Sequence, residues 1–286
     1  MVTGANGLVG KAVCDAFFRL GVSYLPLVRS RSQGDSNQIA VDLSSDIDLL
    51  EIVKQPVSCV VHTAAAVPLA THYPDTEDLA YRTRRIDDTV MRALESWRCP
   101  IVYMSSCGLY DKSQSVVKRE VAPISVSSPY FFAKFEGEKV FEQFKDATIL
   151  RLSAPIGLGQ RQGSIVSRFI TSVRDGKDIE LWGTGRREQN FIDVDDIATL
   201  VCLIVSKPVK AILNVASPNP VTMEFLANLI VDVVGRGRVV YSGIDDPHDG
   251  ETARYDVNRV KSLYRWAGKT SLEETVRKLV AEDFRE

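Results

Sequence analysis

Val2-Thr3-Gly4-Ala5-Asn6-Gly7-Leu8-Val9-Gly10 stands almost at the first residue of the chain and carries three glycines at spacing three. Between a strand and a helix, each glycine has its own task. Gly4 makes the tight turn, Gly7 lets backbone approach a pyrophosphate, and Gly10 lets the helix lie close to the sheet. The phosphates then rest on a helix N-terminus. Glycine clusters alone are usually ordinary turns, so the flanking pattern decides. Lys11 to Leu20 places Ala12, Val13, Ala16, Phe17 and Leu20 on one helical face, Gly21 reads as a stop, and Val22 to Val28 is a strand-length apolar run. Turn, helix and strand follow in the order a dinucleotide-binding unit requires. Only Met1, Val2 and Thr3 precede the glycines, so the first strand is expected to be short or to begin upstream.

Outward from that turn, strand-like runs alternate with helical patterns. Gln38 to Val41, Val57 to His62, Ile101 to Ser105 and Ala147 to Arg151 read as strands, separated by helices at Ile47 to Val53, Asp78 to Trp97 and Pro129 to Phe144. This alternation predicts a parallel sheet with helices on both faces. Helices near Ser164 to Arg174, Ile197 to Val205 and Thr222 to Val234, with short strands at 179–182, 189–192, 211–215 and 239–241, predict a second lobe. Two short helices follow, the last behind a Ser271 to Glu274 capping box. The expected division is a core over 1–155 and a substrate lobe over 156–286, interleaved with the last core elements.

The composition fits an ordinary globular protein: 286 residues, 45% hydrophobic, 25% charged, net charge -2. That balance points to neither nucleic acid nor a membrane surface, and no apolar run approaches the ~20 residues of a membrane span. The N-terminal stretch is unlike a signal peptide. Five scattered cysteines and three histidines show no metal spacing and suit reduced thiols in a cytoplasm.

The chemistry-bearing residues are Ser106, Tyr130 and Lys134. Tyr130 and Lys134 are four apart on one helical face. A lysine cation near a phenol favours phenolate, so the expectation is a Tyr130 pKa lowered into a range useful for general acid or base catalysis. Lys134 is also placed to bond a nicotinamide ribose, and Ser106, ending its strand, to polarise a substrate hydroxyl or carbonyl.

Taken together, Thr3 to Gly10, His62 to Ala66, Ser105-Ser106 with Tyr110, Tyr130 to Lys134 and Gly183 to Asp196 resemble the extended short-chain dehydrogenase/reductase family in its NAD-dependent epimerase/dehydratase branch. The resemblance spans nearly the whole chain in order. It implies an α/β Rossmann fold, a doubly wound parallel sheet with a smaller C-terminal α/β substrate lobe. It implies Tyr130 as acid/base, Lys134 as its partner and Ser106 as the polarising hydroxyl. Cofactor contacts would come from Gly4, Asn6, Gly7, Leu8, Val9, Gly10, Arg29, Asp42, Leu43, Ala64, Ala65, Ala66, Tyr130, Lys134 and Pro155. Substrate contacts would come from Ser106, Cys107, Arg187 and Gln189, and the family pattern also implies a homodimer.

The departures narrow the chemistry. Ala154 stands where the family's 4-epimerases carry asparagine, Gln189 replaces an arginine, and Arg85-Ile86-Asp87-Asp88-Thr89 replaces an Asn-Val-x-Gly-Thr pattern. Arg186, Arg187 or Arg254 is then expected to meet a pyrophosphate. The Asp-Glu pair of dehydratases is replaced by Cys107-Gly108, which disfavours elimination. After the second strand the chain reads Val28-Arg29-Ser30-Arg31 with no acid before Asp35, a pattern that favours NADP over NAD. The expected activity is hydride transfer at a hydroxyl or keto carbon, as a sugar-nucleotide epimerase. An NADPH-dependent ketoreductase and a cofactor-binding sensor without turnover are the alternatives.

Overall fold

In the computed structural model, residues 1–31, 37–68, 75–111, 113, 117–160 and 162–283 are described. Asp35 and His72 lie outside them. The first half runs β1 (Val2–Thr3), α1 (Leu8–Arg19), β2 (Pro26–Val28), β3 (Ile39–Ala40), α2 (Leu49–Ile52), β4 (Val60–His62), α3 (Glu77–Trp97), β5 (Ile101–Ser106), α4 (Pro129–Phe141) and β6 (Ala147–Leu152). The remainder runs β7 (Ala154–Ile156), α5 (Ile165–Arg174), β8 (Ile179–Leu181), β9 (Glu188–Gln189), β10 (Phe191–Asp193), α6 (Val194–Ser206), β11 (Ala211–Val215), β12 (Val221–Thr222), α7 (Met223–Val234), β13 (Val239–Tyr241), α8 (Asn258–Tyr264) and α9 (Leu272–Asp283).

Among the described residues, seven strands form one sheet in the order β11-β6-β5-β4-β1-β2-β3. Every pairing in it is parallel. Chain order reverses between β1 and β4, which is where an open sheet of this kind leaves a ligand crevice at its carboxyl edge. Alternation along the strands builds a core on each face. Val61, Val102, Met104, Leu150 and Leu213 join α1 and α6 on one side. Val60, Ile101, Tyr103 and Ile149 join α3 and α4 on the other. β11 extends the main sheet beside β6, although it follows several lobe elements. The lobe has its own core, in which Val166, Phe169 and Ile170 of α5 meet Leu226 and Ile230 of α7 and Val276 of α9.

Element limits differ from the sequence reading in informative ways. The helix after the glycine turn begins at Leu8 instead of Lys11, because Gly7 already serves as its N-cap. The second strand is confined to Pro26–Val28, since only these residues pair with β1 and β3. The strand expected over 189–192 is two strands. β9 pairs antiparallel with β12 and β10 pairs parallel with β7. Asn190 lies between them, and its buried side chain donates to the Ser217 and Ala253 carbonyls.

Candidate active site

The glycine turn is a backbone cradle with no room for side chains. Gly4 has φ +66°, and a Cβ there would lie 2.8 Å from Ala64. A Cβ on Gly10 would stand 2.2 Å from the Gly4 carbonyl oxygen, so α1 approaches the turn more closely than alanine allows. No side chain caps α1 at Gly7, which leaves its first-turn amides suited to an anion. These features fit a dinucleotide pyrophosphate. Leu8 and Val9 pack into the α1 side of the core. Asn6 donates to the Ser30 carbonyl at 3.0 Å and accepts from Gln38 at 3.1 Å, tying the turn to the segment after β2. Arg29 is exposed in that segment.

Farther along the carboxyl edge, Leu43 is buried and Asp42 is exposed. Asp42 accepts from the Ser44 amide and hydroxyl, and those bonds hold its pKa below the usual carboxylate value. Ala64, Ala65 and Ala66 are half-buried after β4. The Ala64 amide donates to Thr3 Oγ1 at 3.3 Å. Pro155 lies in β7 opposite Ile192.

Ser106 ends β5 and caps the short turn Cys107–Leu109. Its Oγ accepts from the Gly108 amide at 3.0 Å. With one lone pair so engaged, the hydroxyl hydrogen is left to donate to a substrate oxygen. Ser128 caps α4 by accepting from the Phe131 amide, and Pro129 takes the first helical position. This start sets Tyr130 at the helix mouth and Lys134 one turn in. Asp75 accepts from the Tyr130 amide at 2.8 Å. The Phe131 ring fills the space before Gly108, where a Cβ would lie 2.2 Å from the ring.

The expected electrostatics of the Tyr130 and Lys134 pair is corrected. Burial raises the Tyr130 pKa, and the charges of Asp87 and Asp75 raise it further. The Lys134 ammonium is directed elsewhere: it donates to Tyr103 Oη at 3.0 Å and sits 4.3 Å over that ring. Burial lowers the Lys134 pKa, opposed by Asp87 and then Glu138. Burial and acidic neighbours thus favour the protonated phenol, the form that donates a proton.

Two buried networks went unread in the sequence. One joins Lys134, Tyr103, Asp87, His62 and Thr3. In the other, Arg151 makes a paired contact with Glu138 at 2.9 and 2.7 Å. Arg151 also donates to Tyr110 Oη, and Ser105 donates to Glu138. The available signals were a histidine ending an apolar strand and an acid and an arginine at core positions.

On the substrate side, Cys107 is turned away. It is 1% exposed, and its thiol donates to the Arg151 carbonyl at 3.1 Å. The site therefore presents only its backbone. Arg187 pairs with Asp246 at 3.3 Å, and Arg254 makes a two-pronged contact with Glu188. Arg186 donates to Thr184, and Gln189 is half-buried in β9. The arginines expected to meet a pyrophosphate thus include two already matched by carboxylates.

A doubly wound sheet with a glycine cradle, a strand-end serine and a tyrosine-lysine helix defines a dinucleotide-dependent class of protein. The model of the NAD dependent epimerase/dehydratase family matches residues 1–216, and the chain belongs to that family, whose members are enzymes. It is 24% identical to an uncharacterized UDP-glucose epimerase, YtcB, of Bacillus subtilis (strain 168), over 96% of this chain and 94% of that one. It is 23% identical to a dTDP-4-dehydro-6-deoxy-D-allose reductase of Streptomyces sp, over 97% and 94%. Similar solved structures include MoeE5 in complex with UDP-glucose and NAD, with TM-score 0.84, 24% identity and coverage of 99% and 98%. Another is the UDP-glucose 4-epimerase of Thermotoga maritima with UDP-glucose, with TM-score 0.86, 21% identity and coverage of 99% and 97%.

Proposed function

We propose that the protein is a nicotinamide-dependent oxidoreductase or epimerase acting at a hydroxyl or keto carbon of a sugar nucleotide. The observation that carries this reading is the arrangement of Gly4, Ala64 and Ser106 at the carboxyl ends of neighbouring strands β1, β4 and β5, with Tyr130 and Lys134 on the helix packed against β5. Named relatives acting on UDP- and dTDP-sugars support the substrate class.

When bound, the nicotinamide supplies the hydride acceptor and donor carbon. Ser106 donates its free hydroxyl hydrogen to the substrate oxygen and holds that oxygen against Tyr130. In the reducing direction Tyr130 delivers its phenol proton to the carbonyl oxygen and becomes a phenolate; in the oxidising direction Tyr130 must first have lost that proton, and its phenolate accepts the hydroxyl proton. Lys134 supplies positive charge under the site and donors for a ribose. If reduction occurs from the opposite face of a transient ketone, the outcome is epimerisation. The Phe131 ring against Gly108 supports this redox chemistry over elimination, because no carboxylate side chain fits at that position.

Similar structures hold NAD, and the family supports NAD(H) as cofactor. Arg29, exposed after β2, supports tighter binding of NADP, since a guanidinium complements a 2'-phosphate. Exposed Tyr81 of α3 and Phe132 of α4 support a homodimer through those helices. Five cysteines without a disulfide support a reducing, cytoplasmic setting. The NADPH-dependent ketoreductase reading is favoured by Ala154, Gln189 and the carboxylates that match Arg187 and Arg254.

UDP-glucose, UDP-glucuronic acid and simple ketones, each with NAD or NADP, separate these readings when cofactor absorbance and product stereochemistry are followed together. Tyr130→Phe is expected to slow hydride transfer by ~10²–10⁴-fold, and unchanged turnover overturns the role of Tyr130. Tighter NAD than NADP binding by titration overturns that of Arg29.

A further inference from the structure

The buried chain behind Lys134 has a fixed direction that hydrogen-bond chemistry determines. An ammonium only donates, so Tyr103 Oη accepts from Lys134 Nζ at 3.0 Å. The Tyr103 hydrogen then goes to Asp87 Oδ2 at 2.8 Å. A carboxylate only accepts, so His62 donates from Nε2 to Asp87 Oδ1 at 2.9 Å. Burial lowers the His62 pKa, so the ring is neutral and its Nδ1 accepts from Thr3 Oγ1 at 2.6 Å. Asp87 therefore receives two donors and carries the negative charge of the chain. None of these five residues is more than 3% exposed.

The fold makes room for this arrangement at a cost in helix propensity. Gly137 lies in the interior of α4, where glycine is less favourable than alanine. A Cβ there would lie 2.0 Å from Tyr103 Oη and 2.5 Å from Asp87 Oδ2. Only glycine lets the tyrosine and the carboxylate meet under Lys134.

We propose that Asp87 is a positioning residue for the reaction. Through Tyr103 it fixes where the Lys134 ammonium sits, and it balances that charge inside the core. This rests on the reading of Lys134 as part of the active site. The groups facing Lys134 are Asp87 from α3, Tyr103 from β5, His62 from β4 and Glu138 from α4. Glu138 is already matched by Arg151 of β6, so Asp87 is the counter-charge reserved for Lys134.

The test follows the Lys134 side chain by NMR of protein labelled with lysine carrying ¹³C at Cε, assigned with Lys134→Arg. The pH profile of UDP-glucose oxidation with NAD is recorded in parallel. Asp87→Asn is expected to lower the Lys134 titration midpoint by more than about one pH unit and to shift the limb of the kcat profile that reports it. Tyr103→Phe, which keeps the carboxylate, is expected to give a smaller shift in the same direction. An unchanged midpoint in folded Asp87→Asn overturns the proposal. If that variant does not fold, an unchanged midpoint in Tyr103→Phe does so. Lys134→Met separates the two readings. Retained hydride transfer in that variant sinks the active-site role of Lys134. Lost transfer there, beside wild-type profiles in Asp87→Asn, sinks the role of Asp87 alone.

Discussion

Paired charges in the sheet core and in the lobe differ in their surroundings. Arg151 and Glu138 are 4% and 2% exposed at their side chains, whereas Arg254 is 46% exposed beside Glu188. Burial makes each core partner indispensable to the other, since a lone buried ion has no water to turn to. In the lobe the arginines are partly hydrated, so the guanidinium of Arg254 can exchange its carboxylate for solvent or for an incoming phosphate at a smaller cost. The core thus holds charge in place, while the lobe keeps it available.

The largest expected effect breaks the core side of that contrast. Arg151→Met leaves Glu138 buried without its partner and is expected to destabilise the fold by about 3–5 kcal/mol, read by urea denaturation. Gly137→Ala comes next. It gains ~0.5–1 kcal/mol of helix propensity, but its methyl group overlaps Tyr103 and Asp87 at ~1–3 kcal/mol, so a net loss is expected from thermal melting. Thr222→Ala removes the α7 cap that accepts from the Phe225 amide and is expected to lose about 1 kcal/mol. In the same denaturation series this falls between the buried and hydrated pairs.

Glu188→Gln marks the small end. Arg254 is the main cause of the lowered Glu188 pKa. A lowered folded pKa means that any stabilisation is present above the ordinary value of 4.5 and is lost as pH falls through the folded value. The wild type and Glu188→Gln are expected to differ slightly at pH 7 and to converge in acid, measured by melting temperature against pH. A drop in stability matching that of Arg151→Met would abolish the contrast between core and lobe.

Local features were legible in the sequence. Gly4, Gly7 and Gly10 act through a turn of a few residues, and the four-residue spacing of Tyr130 and Lys134 is a property of one helix. The orientation of Lys134 was not legible, because it depends on Tyr103, Asp87 and His62 from three other elements. Only the sheet register, with His62 opposite Tyr103, brings these together. The same holds for Arg187 and Asp246, 59 positions apart. Charge in a loop can be read from sequence, but its counter-charge depends on how the lobe closes. Cys107 shows a further limit: next to a site residue in sequence, it faces the opposite way because consecutive residues at a strand end diverge.

The late arrival of β11 has a consequence for synthesis. Until Ala211–Val215 emerge, β6 is an open sheet edge, and the apolar side of α1 awaits its α6 cover. α6 follows β6 by about forty residues and β11 by about sixty, a delay of roughly 2–12 s on the ribosome. Unpaired strands of this kind invite wrong partners. The nascent chain is therefore most vulnerable to misassembly in that interval, and a ribosome-bound chaperone would have the most to protect there.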